Sequence, residues 1–343
     1  LVLPESWTAS LFLLILSVCL FVLWPNLFKI AGSKWRFELF SLDFALGAVL
    51  VAMIAAYTLG SRGSELDFSD SMLVAGRRAQ AMAIAAGAIF ATGNMLYLGT
   101  IALLGLSNGT LLTFGVFGCG VGLSQLTAKH YLTPATAFLC FAVAAGFAFL
   151  SAKAAREAAT ARGAAARGSS AAASKAMTLS TKGGITGLLA GLAFAAVTPV
   201  LATAQTDEMG IGAYGGVLMA GIGVVIATVF LNFFLMNISL EGGSVGYGNY
   251  LAGTVRNHAL GAMSGAVWTA AALALYTAKT GAGKVTGFDA WLVPFSAAVL
   301  MVLTGVIFWQ KIQLPAAAKR NKWLAAVLFV AGAVVLLAGI HRP

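Results

Sequence analysis

The sequence predicts an all-α polytopic membrane protein of ten transmembrane helices, arranged as two inverted five-helix repeats, and three observations carry that prediction. Of 343 residues, 60% are hydrophobic and only 9% charged, with a mean hydropathy of +0.91, whereas a soluble domain carries roughly 25% charged residues. Ten runs stay apolar over the roughly 20 residues that a helix needs to span a bilayer. One long polar break divides those runs five and five.

In chain order the runs are Thr8 to Phe28, Phe40 to Gly60, Ala79 to Leu98, Thr110 to Ala128, Pro134 to Ala152, Gly184 to Ala204, Tyr214 to Met236, Ala259 to Ala278, Ala290 to Trp309 and Trp323 to Ile340. They are continuously apolar and about twice as long as a membrane strand, which favours a helical bundle over a barrel. The 40 glycines suit close helix approach, and "GVFGCGVG" (Gly115 to Gly122) and "GGVLMAGIG" (Gly215 to Gly223) offer small faces for it.

The break separates a first repeat, Leu1 to Ala152, from a second, Gly184 to Pro343. The intervening Lys153 to Gly183 is rich in Ala and carries six basic residues against Glu157, so it reads as a partly helical linker near anionic headgroups. "RAQAMAIAAGAIF" (Arg78 to Phe90) aligns with "RNHALGAMSGAVW" (Arg256 to Trp268) at a shift of 178, and "LWPNL" around Pro25 aligns with "VTPVL" around Pro199 at 174. Five helices per half reverse the direction of the second half, which is the inverted plan of many secondary transporters. Pro25 and Pro199 are hinge candidates, since proline removes a helix hydrogen bond.

The net charge of +10 is a matter of orientation rather than of nucleic-acid binding. Two thirds of the 21 Lys and Arg residues fall on one side of the alternating spans. The positive-inside rule makes that side cytoplasmic, places the linker inside and both termini outside, and suits an inner or plasma membrane. No nucleotide is expected, because neither "GSSAAASKAM" nor "GAGKVTG" supplies GxxxxGK[ST]. Cys19, Cys119 and Cys140 lie in apolar runs without a CxxC pair, and His130, His258 and His341 lie in three separate segments, so neither metal nor other cofactor is expected. No nucleophile, base and oxyanion set can be assembled, and the chain is not expected to be an enzyme.

Polar side chains in hydrocarbon are costly and mark candidate function. The candidates for substrate binding are Trp24, Asn94, Tyr97, Gln125, Asn232, Trp268 and Tyr276. Amides match the edge of a ureide or pyrimidine, and aromatic faces stack on a flat ring or on the C–H face of a sugar. Interhelical hydrogen bonding is the structural alternative for Asn94 and Asn232, and interfacial anchoring for Trp24 and Tyr276. No Lys or Arg occupies the middle of a span, which disfavours anionic substrates, and no mid-span acid invites a lipophilic cation. A small, neutral, polar solute remains, with membrane lipids as the surroundings.

"WRFELFSLDFALGAVL" (Trp35 to Leu50) and "LEGGSVGYGNYLAGTVRNHALGAMSGAVW" (Leu240 to Trp268) resemble the ureide permease family of the drug/metabolite transporter superfamily, which is related to rhamnose and glucose permeases. The most specific matches are "LDF" at Asp43 and "NHxxGxxxGxxW" from Asn257 to Trp268. The resemblance implies secondary active transport by alternating access of a small neutral metabolite such as allantoin or uracil, coupled to protons. A sugar–proton symporter is the alternative, and a non-transporting receptor or assembly factor the second. The central loop is short and "WQK" at Trp309 stands where related permeases often have an acid, so substrate identity is less marked than fold. Asp43, near the start of the second span, either caps free N–H groups and pairs with Arg36 or Lys34, or, as the resemblance implies, carries the coupling proton.

Overall fold

The computed structural model describes residues 2–32, 35–62, 67–126, 132–167, 171–206, 210–238, 240, 242–280, 292–310 and 314–340. Lys34, His130 and His341 lie outside them. Twelve helices follow one another: α1 (Trp7–Ala31), α2 (Phe37–Thr58), α3 (Phe68–Val74), α4 (Arg77–Leu104), α5 (Leu106–Gln125), α6 (Leu132–Arg167), α7 (Ala171–Thr206), α8 (Ala213–Ile238), α9 (Tyr247–Leu251), α10 (Val255–Thr280), α11 (Leu292–Ile307) and α12 (Ala316–Ile340). Among the described residues there is no strand, and nine helices are long and apolar enough to cross a membrane. The run expected from Ala290 to Trp309 appears as α11, with 16 described residues. The chain is an all-α, multi-pass membrane protein, an architecture compatible with a transporter.

Several helices outrun their apolar cores. Helices α6 and α7 continue into the Ala-rich segment between Lys153 and Gly183, because Ala is the best helix former whatever its solvent. Glycine makes two of the sharper breaks. Gly105, at φ +83°, is the single residue between α4 and α5, and Gly32, also at φ +83°, ends α1; such angles are costly for any side chain with a Cβ. Pro25 and Pro199 both lie inside helices, α1 and α7.

The chain forms two compact units, each drawing on both halves of the sequence. The first comprises Leu1–Met95, Ala196–Ser239 and Ser244–Ala297, the second Leu96–Ala195, Leu240–Gly243 and Ala298–Pro343. In the first unit α10 packs along α1 and α2, and α2 along α8; in the second α6 packs against α12 and α5.

Four glycines of the first unit let backbones touch. A Cβ at Gly47 would run into the carbonyl of Ala262, and one at Gly265 into the carbonyl of Phe44, so α2 and α10 meet without intervening side chains. A Cβ at Gly87 would strike the carbonyl of Ala220, and one at Gly223 that of Ile84, which joins α4 to α8 in the same way. The two sets are spaced alike. Residues 84 and 87 precede 262 and 265 by 178 positions, while 220 and 223 follow 44 and 47 by 176.

Candidate functional site

Two groups of polar and aromatic residues of the first unit gather along one face of α10. In "NHxxGxxxGxxW", His258, Gly261, Gly265 and Trp268 fall three, four and three residues apart, a spacing that puts all four on one side of a helix. That side faces α2. Gly261 admits the Cβ of Asp43, Gly265 admits the backbone of Phe44, and the large groups at either end, His258 and Trp268, make the contacts that carry chemistry.

Trp268 lies at the middle of α10 and Phe90 at the middle of α4. Their rings stack with centroids 4.1 Å apart and planes 22° from parallel. Phe44 flanks both, at 5.8 Å from Trp268 and 6.4 Å from Phe90. Trp24 meets Phe90 edge-on at 6.1 Å. The Trp24 indole N–H donates to Asn94 Oδ1 at 3.1 Å, which fixes the amide orientation. Ser264 secures α10 to α1 by donating to the Trp24 carbonyl at 3.0 Å. Trp24, at 3% exposure, and Asn94, at 1%, are core residues.

The second gathering lies at the N-terminal ends of α2 and α10. Asp43 Oδ1 accepts from the Tyr250 hydroxyl at 2.6 Å and meets His258 Nδ1 at 2.9 Å. Trp35 stacks on Tyr250 at 6.0 Å and stands edge-on to His258 at 4.9 Å. Among the described residues Asp43 Oδ2 and Trp35 Nε1 are both buried with no partner at hydrogen-bonding distance, and the Trp35 side chain lies beside the Asp43 carboxylate. Burial and the adjacent Asp43 carboxylate push the Tyr250 hydroxyl well above its ordinary range, so it stays protonated and donates. Asp43 caps no backbone N–H: it lies in the second turn of α2, whose N-cap is Arg36. Arg36 pairs with the fully buried Glu38 rather than with Asp43.

Asn232 on α8 is fully buried, and both atoms of its amide lack a partner among the described residues. Tyr276, half-buried near the end of α10, packs against two apolar clusters, one of α2, α3, α8 and α10 and one of α4, α7 and α8. Tyr97 and Gln125 belong to the second unit. The Tyr97 hydroxyl is fully buried, shares a 2.7 Å hydrogen bond with Thr110 Oγ1 and lies 3.4 Å from Met301 Sδ; Gln125 is half-buried as the last residue of α5. No cluster of three potential metal ligands occurs among the described residues. A cavity of about 580 Å³ in the first unit is apolar, lined by residues such as Phe12, Leu16, Ile54 and Leu273, at the opposite end of α2 and α10 from Asp43.

Sequence reasoning passed over His258 and Tyr250. The signal for both was present, since each lies in the stretch from Leu240 to Trp268 and a histidine three residues before a glycine shares its face.

No family model and no curated protein matches the chain. One solved structure, described only as a protein crystal structure, aligns with 98% of this chain and 100% of its own at 16% identity and a TM-score of 0.50, a likeness that shows the fold alone.

Proposed function

We propose that the chain is a secondary active transporter of a small, neutral, polar metabolite, built from two inverted repeats and coupled to protons. The observation that carries the reading is the stack of Phe90 on Trp268. These two residues occupy equivalent positions at the sequence shift of 178, and they touch each other at the middle of their helices. In an inverted repeat, equivalent residues in mutual contact lie on the axis that relates the halves. That axis runs in the membrane plane, and substrates of such carriers bind beside it at the midplane. The matching glycine contacts of α2 with α10 and of α8 with α4 support the same relation.

The residues beside the stack suit a flat neutral solute. Phe44, Phe90, Trp24 and Trp268 offer apolar faces, and Asn94 Nδ2 offers N–H donors to a carbonyl. A ureide or nucleobase presents both features. Asp43, already placed with His258 at the end of α2, is the group available for the coupling proton. The charge distribution supports a cytoplasmic linker, external termini and an inner or plasma membrane location.

A thermal-shift panel of allantoin, uracil, xanthine, rhamnose, glucose and ribose tests the reading on purified protein, since a ligand of the native state raises its apparent stability. The expected result is a shift with a cyclic amide that Trp268→Ala removes while the variant remains folded. A shift with rhamnose or glucose alone would move the assignment to sugars, and a shift untouched by Trp268→Ala would move the site elsewhere.

A further inference from the structure

The chain passes from α2 to α4 and from α8 to α10 by the same device, a short helix set before the next span: α3 in the first passage, α9 in the second. The ties that hold these short helices differ. Gln80 Nε2 donates to the carbonyls of Met72 at 2.9 Å and Ala75 at 3.1 Å, so α3 is clipped to the first turn of α4 by an amide that does not titrate. The residue 178 positions after Gln80 is His258. There the clip is built from titratable groups: His258 Nδ1 meets Asp43 Oδ1, and the same oxygen accepts from Tyr250 on α9. The residue 176 positions after Asp43 is Met219, so the first passage has no counterpart acid.

We propose that Asp43 and His258 together form a proton-binding site whose occupancy sets how firmly Tyr250 holds α9 against α2, and that one of the two equivalent ends alone carries it. The proposal rests on the repeat reading above. Charge accounting gives the sign. With a neutral imidazole the cluster holds one negative charge, on a side chain that is 5% exposed and whose Oδ2 has only the neutral Trp35 indole beside it among the described residues. The neighbouring cations are Arg36, which pairs with Glu38 on α2, Arg256 on α10, which reaches the Ile30 carbonyl at 3.4 Å, and Lys29 in the last turn of α1. Helix α8 contributes no acid, and its one titratable group, Tyr214, lies at its first turn. Lys34 and Glu241 fall outside the described residues.

One proton from water onto His258 Nε2 brings the cluster to neutrality, while the Nδ1–H remains on Asp43 Oδ1. The ring is the entry point, with 31% of its side chain exposed. A neutral cluster is cheaper to keep dry than a charged one, so proton uptake favours docked α9 and proton release favours undocking into water. Docking is therefore complete at low pH and lost as pH rises through the titration of the pair.

Amide hydrogen exchange on the protein in lipid nanodiscs, scanned from acidic to mildly alkaline pH and corrected for the intrinsic rate, tests this directly. Protection of Tyr247 to Leu251 in α9 is expected to fall by roughly tenfold or more across the scan, the size of losing a hydrogen bond to a charged group. Protection of α3 is expected to stay level. His258→Gln should abolish the pH dependence of α9, and Tyr250→Phe should lower its protection at every pH. Level protection of α9 in the wild type, or a titration that persists in His258→Gln, overturns the proposal. Its failure is distinct from failure of the transport reading: a solute that shifts stability through Trp268 leaves transport standing when α9 does not titrate.

Discussion

Asn94 and Asn232 look alike in the sequence, yet they meet opposite fates. Asn94 Oδ1 receives the Trp24 indole, and removing that donor strands a buried acceptor. Trp24→Phe is therefore expected to lower unfolding stability by about 1 to 3 kcal/mol, measured by denaturation in detergent; an unchanged midpoint would mean that water replaces the indole. Asn232 has no partner for either amide atom among the described residues, so Asn232→Leu, close in volume, is expected to raise the melting temperature. A fall would show that the amide is satisfied by water or lipid. The candidates read from the sequence were chosen for polarity in an apolar run, a criterion that finds buried groups but does not say which ones pair. Pairing depends on residues distant in sequence: Trp24 and Asn94 are 70 positions apart, Asp43 and His258 are 215.

Helices were the most legible level, because hydrophobic runs of spanning length have few alternatives in a bilayer. Their ends were less so. α12 starts at Ala316, before the apolar run at Trp323, and α6 and α7 extend through the polar break, since Ala, Lys and Arg propagate a helix as well in water as in lipid. α3 and α9 left no hydropathic trace because each is shorter than two turns. The glycines told more than their abundance did. Gly47, Gly87, Gly223 and Gly265 each face a carbonyl of the neighbouring helix, and a branched side chain there must push the paired backbones apart. Gly265→Val and its counterpart Gly87→Val are both expected to abolish monodisperse protein in size-exclusion chromatography, whereas Gly146→Val, with open space around its Cα, should leave it intact. A folded Gly265→Val variant would contradict the contact between α2 and α10.

At the scale of the whole molecule, the similarity of two stretches 178 positions apart is legible in the sequence, but the contacts between them are not. Periodicity cannot say that Phe90 and Trp268 touch, or that α2 with α10 and α4 with α8 each set glycines against carbonyls; those relations exist only after folding. The proposed account is a carrier whose neutral solute binds beside that stack and whose proton binds at Asp43 and His258. Asp43→Asn is accordingly expected to keep solute exchange between vesicle interior and medium while losing accumulation. The most direct test is uptake of a labelled neutral solute, uracil or allantoin first, into proteoliposomes with and without an imposed pH gradient. Accumulation above the external concentration when the vesicle interior is alkaline, collapsing when the gradient is dissipated, is the predicted result. Absence of uptake of any neutral solute under either condition, by protein shown to be folded, would contradict the account.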